Sequence, residues 1–387
     1  MGVFIYICVL CMKRIKLLEM KKVNLLLVLA LLTLVFFNSC KKDKEEIEEN
    51  KENILPGSWG VGIPDAISNV GETKNLSTTQ SDTLNGNDIY ENLRTFIAVG
   101  EGASAVVNAI ITTISVHNIN EPMSLTYTSD EDGRAKHLEV IENSTFDGQN
   151  WEFQMTISDA GSQANADGGN GLQVFWNQSP VKGIAILKPY NINRTDNANA
   201  PDALFKIAYS EAGENGYNEQ MTVEVIGLPD INNDIWYMNS LKMFAGKTGN
   251  IVNVYGNSDH PNAYFFDSTA VGYDWAFVAS ANEVTDIAVA EVGLPRNNLN
   301  STDRAELLVT NSIHTVFNDQ IVALGYAVQQ DVDNYLFNTA APGYFNHYGF
   351  IQGGTAPIGD YNPLENSINT LSPYNPTYVR DLTISFK

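Results

Sequence analysis

Five histidines (His117, His137, His260, His314 and His347) are the obvious start for acid–base or metal chemistry. They are widely separated, and none falls in a His-Glu-x-x-His pattern that would set two imidazoles on one helix face around zinc. Ser258-Asp259-His260 collects the residue types of a hydrolytic triad. Neighbours along a chain cannot serve each other as nucleophile, base and orienting acid, so Asn257 to Asn262 reads as a turn. Asp230-x-Asn232-x-Asp234 alternates like a calcium loop, but Ile235 replaces the turn glycine and Leu241 stands where a bidentate acid is required. Asp130-Glu131-Asp132-Gly133 has similar defects. Phosphate loops and nucleophile elbows are absent from the sequence, so neither a metal nor a cofactor is expected.

Aromatic side chains carry more signal, with 17 Tyr and 17 Phe in the chain. Tyr335, Phe337, Tyr344, Phe345, Tyr348 and Phe350 crowd into residues 331–376, a stretch broken by five prolines. A long irregular segment of this kind is often a binding loop, although its rings could equally plug the end of a sheet. With Trp176 these six form the candidate ligand-binding set. Trp151, Trp176, Trp236 and Trp275 lie in or beside strand candidates, where core packing is the first expectation.

Ten short strands are expected between Met123 and Pro295. They are 125–128, 135–141, 151–157, 172–176, 183–187, 203–209, 221–226, 251–255, 275–279 and 286–292. Asp132-Gly133 and Asp147-Gly148 suit tight hairpin turns. Short connections without helical stretches argue for an antiparallel meander rather than parallel β-α-β units. Before these strands, apolar residues recur at helical spacing over 88–116, with Asp88 and Glu91 as a capping box. Gly100 and Gly102 could kink this helix. Its second half, Ala103 to Val116, is apolar on almost every side and requires burial. A second helix is expected at 302–325, and 379–386 alternates like a closing strand. The fold class is therefore β-rich α+β, an antiparallel meander or partly closed barrel curled around a long buried helix. One globular domain, 58–387, would contain all of it.

The motif apolar-Gly-apolar-Pro occurs at Val61–Pro64, Ile226–Pro229 and Val292–Pro295. Either strand termination or an internal duplication would produce it, and termination is the simpler account because Pro cannot donate to a ladder.

The N-terminus reads as an address. Met20-Lys21-Lys22 precedes an apolar run from Val23 to Phe37, closed by Asn38-Ser39-Cys40. The run is short for a membrane span and suits a signal peptide over 1–39 whose true start is Met20; a genuine upstream apolar patch is the alternative. The segment resembles the signal of bacterial lipoproteins, which implies that Cys40 receives the lipid and becomes the mature N-terminus. Lys41 to Glu52, charged at ten of twelve positions, continues the 40–57 stretch as a solvated tether. It is also similar to the charged stretch following the lipidated Cys in surface-exported Gram-negative lipoproteins. That resemblance implies the outer membrane of the cell envelope, with the leaflet left open.

Charge and cysteine usage narrow the classes further. The net charge is −22, from 23 Lys and Arg against 45 Asp and Glu. Five bases and one acid fall in the first 40 residues, leaving 18 bases against 44 acids, too few to build a phosphate-binding face. Nucleic acid is thereby excluded as a partner. Cys8, Cys11 and Cys40 are the only cysteines, so nothing beyond residue 40 can form an intrachain disulfide. A non-catalytic binding or structural role is expected, with an apolar or amphipathic ligand between sheet and helix. Its layout would be similar to periplasmic lipid carriers, on architecture alone. The rivals are a surface glycan-binding module and a carboxylate-based hydrolase; the sequence names no protein partner.

Overall fold

The computed structural model describes residues 59–68, 86–115, 121–230, 233–325, 328–336 and 338–387. The signal segment, Cys40, the charged tether, His117 and Phe337 lie outside the described residues.

Among the described residues thirteen antiparallel strands follow one another in chain order without a crossover. They are β1 (Met123–Thr128), β2 (Ala135–Phe146), β3 (Gln149–Asp159), β4 (Asn170–Gln178), β5 (Val181–Leu187), β6 (Leu204–Ser210), β7 (Glu219–Ile226), β8 (Ser240–Thr248), β9 (Ile251–His260), β10 (Tyr273–Asn282), β11 (Ile287–Gly293), β12 (Gly343–Asn346) and β13 (Gly349–Gly353). Among the described residues β1 and β13 pair on one side only, so the meander is open and not a closed barrel. The β2–β3 hairpin turns on Asp147 and Gly148, both at positive φ, the geometry that matches strand twist.

The chain divides into two compact units, one of Gly62–Gly100 with Asp230–Leu382, the other of Glu101–Pro229 with Thr383–Lys387 and residues 59–61. Among the described residues two helices precede the strands, α1 (Asp65–Ser68) and α2 (Gly86–Ser115). The second starts before Asp88, which therefore stands inside the first turn instead of capping it, and it runs unbroken through Gly100 and Gly102.

In the first unit, residues 90–100 of α2 lie across one face of the sheet. Phe96 packs on His260 and Trp275, with ring centroids 5.4 and 5.8 Å apart. A Cβ on Gly100 would fall 2.2 Å from the Met243 methyl, so glycine here permits close packing where the sequence suggested a kink. The opposite sheet face is covered by C-terminal chain. Tyr361, Leu364, Ile368 and Leu371 bury Ala276, Val278, Val289 and Tyr344.

In the second unit, Ser104 and Asn108 of α2 hold the backbone of Trp59. Ser104 Oγ and Asn108 Nδ2 each donate to Trp59 O at 2.6 Å, and Trp59 N donates to Asn108 Oδ1 at 2.6 Å. The Trp59 indole fills the space above Gly183 of β5, where any Cβ would lie 2.3 Å from the ring. The other face buries Phe175, Ile184 and Ile186 beneath Ile384 and Phe386. Among the described side chains of α2, Leu93 to Ile97 are buried in succession, more than one full turn, and Ala103, Ser104, Val106 and Val107 are buried while Ala105 is exposed. The expected burial of 103–116 on most sides falls partly on 110–116, whose side chains lie outside the described residues.

This unit also carries a saturated ion cluster at one end of β3. Asp159, fully buried, accepts from Arg134 Nε and Nη2 at 2.5 and 2.7 Å, Lys136 Nζ at 3.2 Å and Ser162 Oγ at 2.9 Å. Lys136 also donates to Asp132 Oδ2 at 2.9 Å and Asn191 O at 3.0 Å. The hydrogen bonds from Arg134 outweigh burial and hold the Asp159 carboxyl far below its ordinary range.

Further helices complete the chain: α3 (Pro189–Ile192), α4 (Ile313–Ala323), α5 (Gln329–Tyr335), α6 (Asn362–Ile368) and α7 (Pro376–Arg380). Three expectations are corrected here. The helix over 302–325 is two pieces, a π-helical turn Ala305–Thr310 and α4, because Asn311 O accepts from Leu294 N at 2.7 Å and Ser312 caps α4 through Thr315 N. The stretch 331–376 is not irregular, since it contains the β12–β13 hairpin and α6. The closing strand over 379–386 does not form. Pro376 at the first helical position and Asn375 as cap make α7 instead, and the tail then docks through Ile384 and Phe386 without a ladder.

Candidate functional site

A cavity of about 420 Å³ opens in the first unit, within the size range of small-molecule sites. Its apolar wall comes from the Tyr90 ring on α2, Val292 at the end of β11, Leu308 on the π-helical turn and Ile313 on α4. Glu291 and His314 supply polar groups. Local contacts place the helix start and the strand end of this wall. Ser312 starts α4 and bonds to Thr315, while the Gly293–Ser312 bridge ties that helix start to the end of β11.

The electrostatics of the cavity are set by one carboxylate. Glu291 Oε2 accepts from Arg304 Nη2 at 2.5 Å, and the glutamate side chain is 12% exposed. Burial, followed by the charges of Glu291 and Tyr344, pushes the Tyr90 phenol far above its ordinary value of 10.0. Tyr90 therefore stays a neutral phenol, an aromatic wall with a polar tip. The combination can hold a molecule with an apolar body and a hydrogen-bonding or charged end.

The aromatic candidates divide among different places. Phe345 and Phe350 come together on Tyr90, at 5.5 Å edge-on and 4.8 Å stacked, so two of the six help fix the cavity wall from behind. Tyr344 points to the other sheet face, where its hydroxyl donates to Glu365 Oε1 at 2.6 Å and its ring meets Tyr361. Tyr348 is 73% exposed beside His347. Tyr335 ends α5, and its side chain, like Phe337, is outside the described residues. Trp176 is fully buried in the other unit, stacked on Phe153. Tyr90 and Glu291 were not nominated, since each is a single residue on its own element and no spacing marks it.

Ser258-Asp259-His260 is not a turn but the end of β9. Strand alternation separates its members: Ser258 and His260 share the face against α2, and Asp259 faces the opposite way. Ser258 Oγ lies 2.9 Å from His260 Nε2, and His260 Nδ1 lies 3.0 Å from Trp236 O. Burial lowers the proton affinity of this histidine, which fits a neutral core ring under Phe96. Of the rejected calcium loop, Asp230 accepts from Asp234 N at 2.8 Å, a turn-closing contact. Among the described residues no group of three or more His, Cys, Asp or Glu is arranged to hold a metal, and no helix is long and apolar enough to cross a membrane.

No protein-family model, curated protein or solved structure matches this chain.

Proposed function

We propose that this chain is a lipid-anchored protein of the cell envelope whose globular part holds a small amphipathic ligand and performs no catalysis. The carrying observation is the cavity beside Tyr90, apolar over most of its wall and polar at Glu291 and His314. The sheet contributes Val292 and the helix contributes Tyr90, in line with a ligand held between sheet and helix. This refines the expected site, from the aromatic segment as a whole to the pocket that Phe345 and Phe350 support. A glycan platform draws less support, because Trp59, Trp151 and Trp176 are buried.

Membrane attachment rests on the apolar run ending at Cys40 and the charged tether behind it. Several acyl chains on one cysteine anchor stably, at about 0.8 kcal/mol per buried methylene. Protein purified in mild conditions and extracted with organic solvent should release one small-molecule species by mass spectrometry. Val309→Trp, placing an indole at the cavity wall, should lose that species. Absence of any species from the unmodified protein, or its retention in the variant, removes the reading. Cys40→Ser should release the protein from membranes, and membrane retention after proven signal cleavage counts against the anchor.

A further inference from the structure

On the sheet face away from α2, the β9–β10 ladder sets Asp259 directly opposite Asp274. Their exposures are 0% and 1%, and Asn257, two residues earlier on the same face, is also fully buried. Asp259 is served by neutral donors: Asn297 Nδ2 reaches Oδ1 and Asn239 Nδ2 reaches Oδ2, each at 3.0 Å. Neither Asp274 carboxyl oxygen meets a donor in full hydrogen-bond geometry, and the neighbouring Asn257 side chain gives it only partial support. Asn257 gives its NH₂ to Tyr374 O at 2.5 Å and leaves Oδ1 without a donor. Three unpartnered oxygens and two carboxylates thus share one dry face.

Nearby positive charge does not resolve this. The Arg380 guanidinium lies close enough to act on both aspartates but forms two 2.9 Å bonds to Asp381. Lys242 Nζ, across the ladder from Asn257, reaches Tyr378 Oη at 3.2 Å over the Tyr374 and Tyr378 rings. Burial, and after it the charge of Asp259, pushes Asp274 well above the ordinary carboxylate range. A proton on Asp274 that is donated to Asn257 Oδ1 would satisfy two of the three oxygens, and it is the competitor a cation must displace. An unpaired buried carboxylate is costly, and the donors left open are all oxygen, with no nitrogen or sulfur ligand among them.

We propose that Asp259, Asp274 and the Asn257 side-chain oxygen form a binding site for a hard divalent cation of the calcium class, beneath the Tyr374–Arg380 segment. The remaining ligands would be backbone carbonyls or water, as such ions accept. With two carboxylates instead of three or more, the affinity expected is modest, about 10⁻⁴–10⁻³ M, which is the range of extracellular modules. The bound ion would also fasten the C-terminal segment, already joined to β8 by Ser240 Oγ donating to Val379 O at 2.7 Å.

The test uses the purified full chain, stripped with chelator and titrated with calcium chloride. At about 5 mM Ca²⁺ the Tm should rise by about 3 °C or more. Tb³⁺ should bind with tyrosine-sensitised luminescence that Ca²⁺ displaces. Asp274→Asn should abolish both signals while remaining folded, and Asp234→Asn should retain both. No Tm rise and no Tb³⁺ luminescence in the unmodified chain overturns the proposal, as does an undiminished response in Asp274→Asn. Should Asp274→Asn fail to fold, the Tb³⁺ and Ca²⁺ titrations of the unmodified chain decide alone.

Discussion

Two buried aspartates, Asp159 in one unit and Asp274 in the other, show how much a ladder partner matters. Each sits at a strand end with its side chain out of water. The residue across the ladder from Asp159 is Lys136, and from Asp274 it is Asp259. Opposite charges in such positions attract and like charges repel. The first site is closed by the chain's own Arg134, Lys136 and Ser162; the second leaves two carboxyl oxygens open. One cluster is complete within the polypeptide, whereas the other calls for something from outside it.

The largest expected effect is at the closed cluster. Asp159→Ala removes the shared acceptor of Arg134 and Lys136, and a loss of about 3–5 kcal/mol is expected in urea unfolding. An unchanged midpoint would break the contrast. Acid offers a second test of the same group. The folded state holds the Asp159 carboxyl below its ordinary value of 3.8, so the stabilisation is present above that pH. It is lost as the pH falls through the folded value, so unfolding followed from pH 6 to pH 2 should show a loss below about pH 4 that is absent in Asp159→Ala.

At the open pair the sign reverses. In chelator, Asp274→Asn should raise stability by roughly 1 kcal/mol, read as about 2–4 °C in Tm, because the isosteric amide cannot carry the charge that burial and Asp259 oppose. A decrease would mean that the carboxylate is already matched. The smallest effect belongs to an exposed pair, Lys206 Nζ to Asp147 Oδ2 at 2.9 Å, with Asp147 more than half exposed. Asp147→Asn keeps a residue suited to positive φ and should change stability by less than about 0.5 kcal/mol.

Much of the sheet was legible because one-sided burial writes itself as alternation. All ten expected strands are found, and Asp147-Gly148 turns where its composition requires. β8 was passed over: Leu241, Met243, Phe244 and Ala245 are all buried, so both of its faces lack the polar alternation that marks a strand. Residues 257–260 read as a turn because Asn, Ser, Asp and His favour turns on the surface, yet here they are strand residues buried by other elements. The tail alternates as expected at Leu382, Ile384 and Phe386, but Pro376 starts a helix just before it and no strand pairs with it. For the cavity, only the supporting rings Phe345 and Phe350 were visible in advance. Tyr90, Glu291 and Ile313 come from separate elements and meet only through packing.

The amino-acid order by itself determined the strand periods, the long helix, the acidic surplus and the lone cysteine after an apolar run, because each depends on near neighbours in the chain. Which carboxylate met a lysine and which met another carboxylate was decided by ladder register, and where a cavity remained was decided by how distant elements packed. Those outcomes depend on contacts across large sequence separations, which no local pattern encodes.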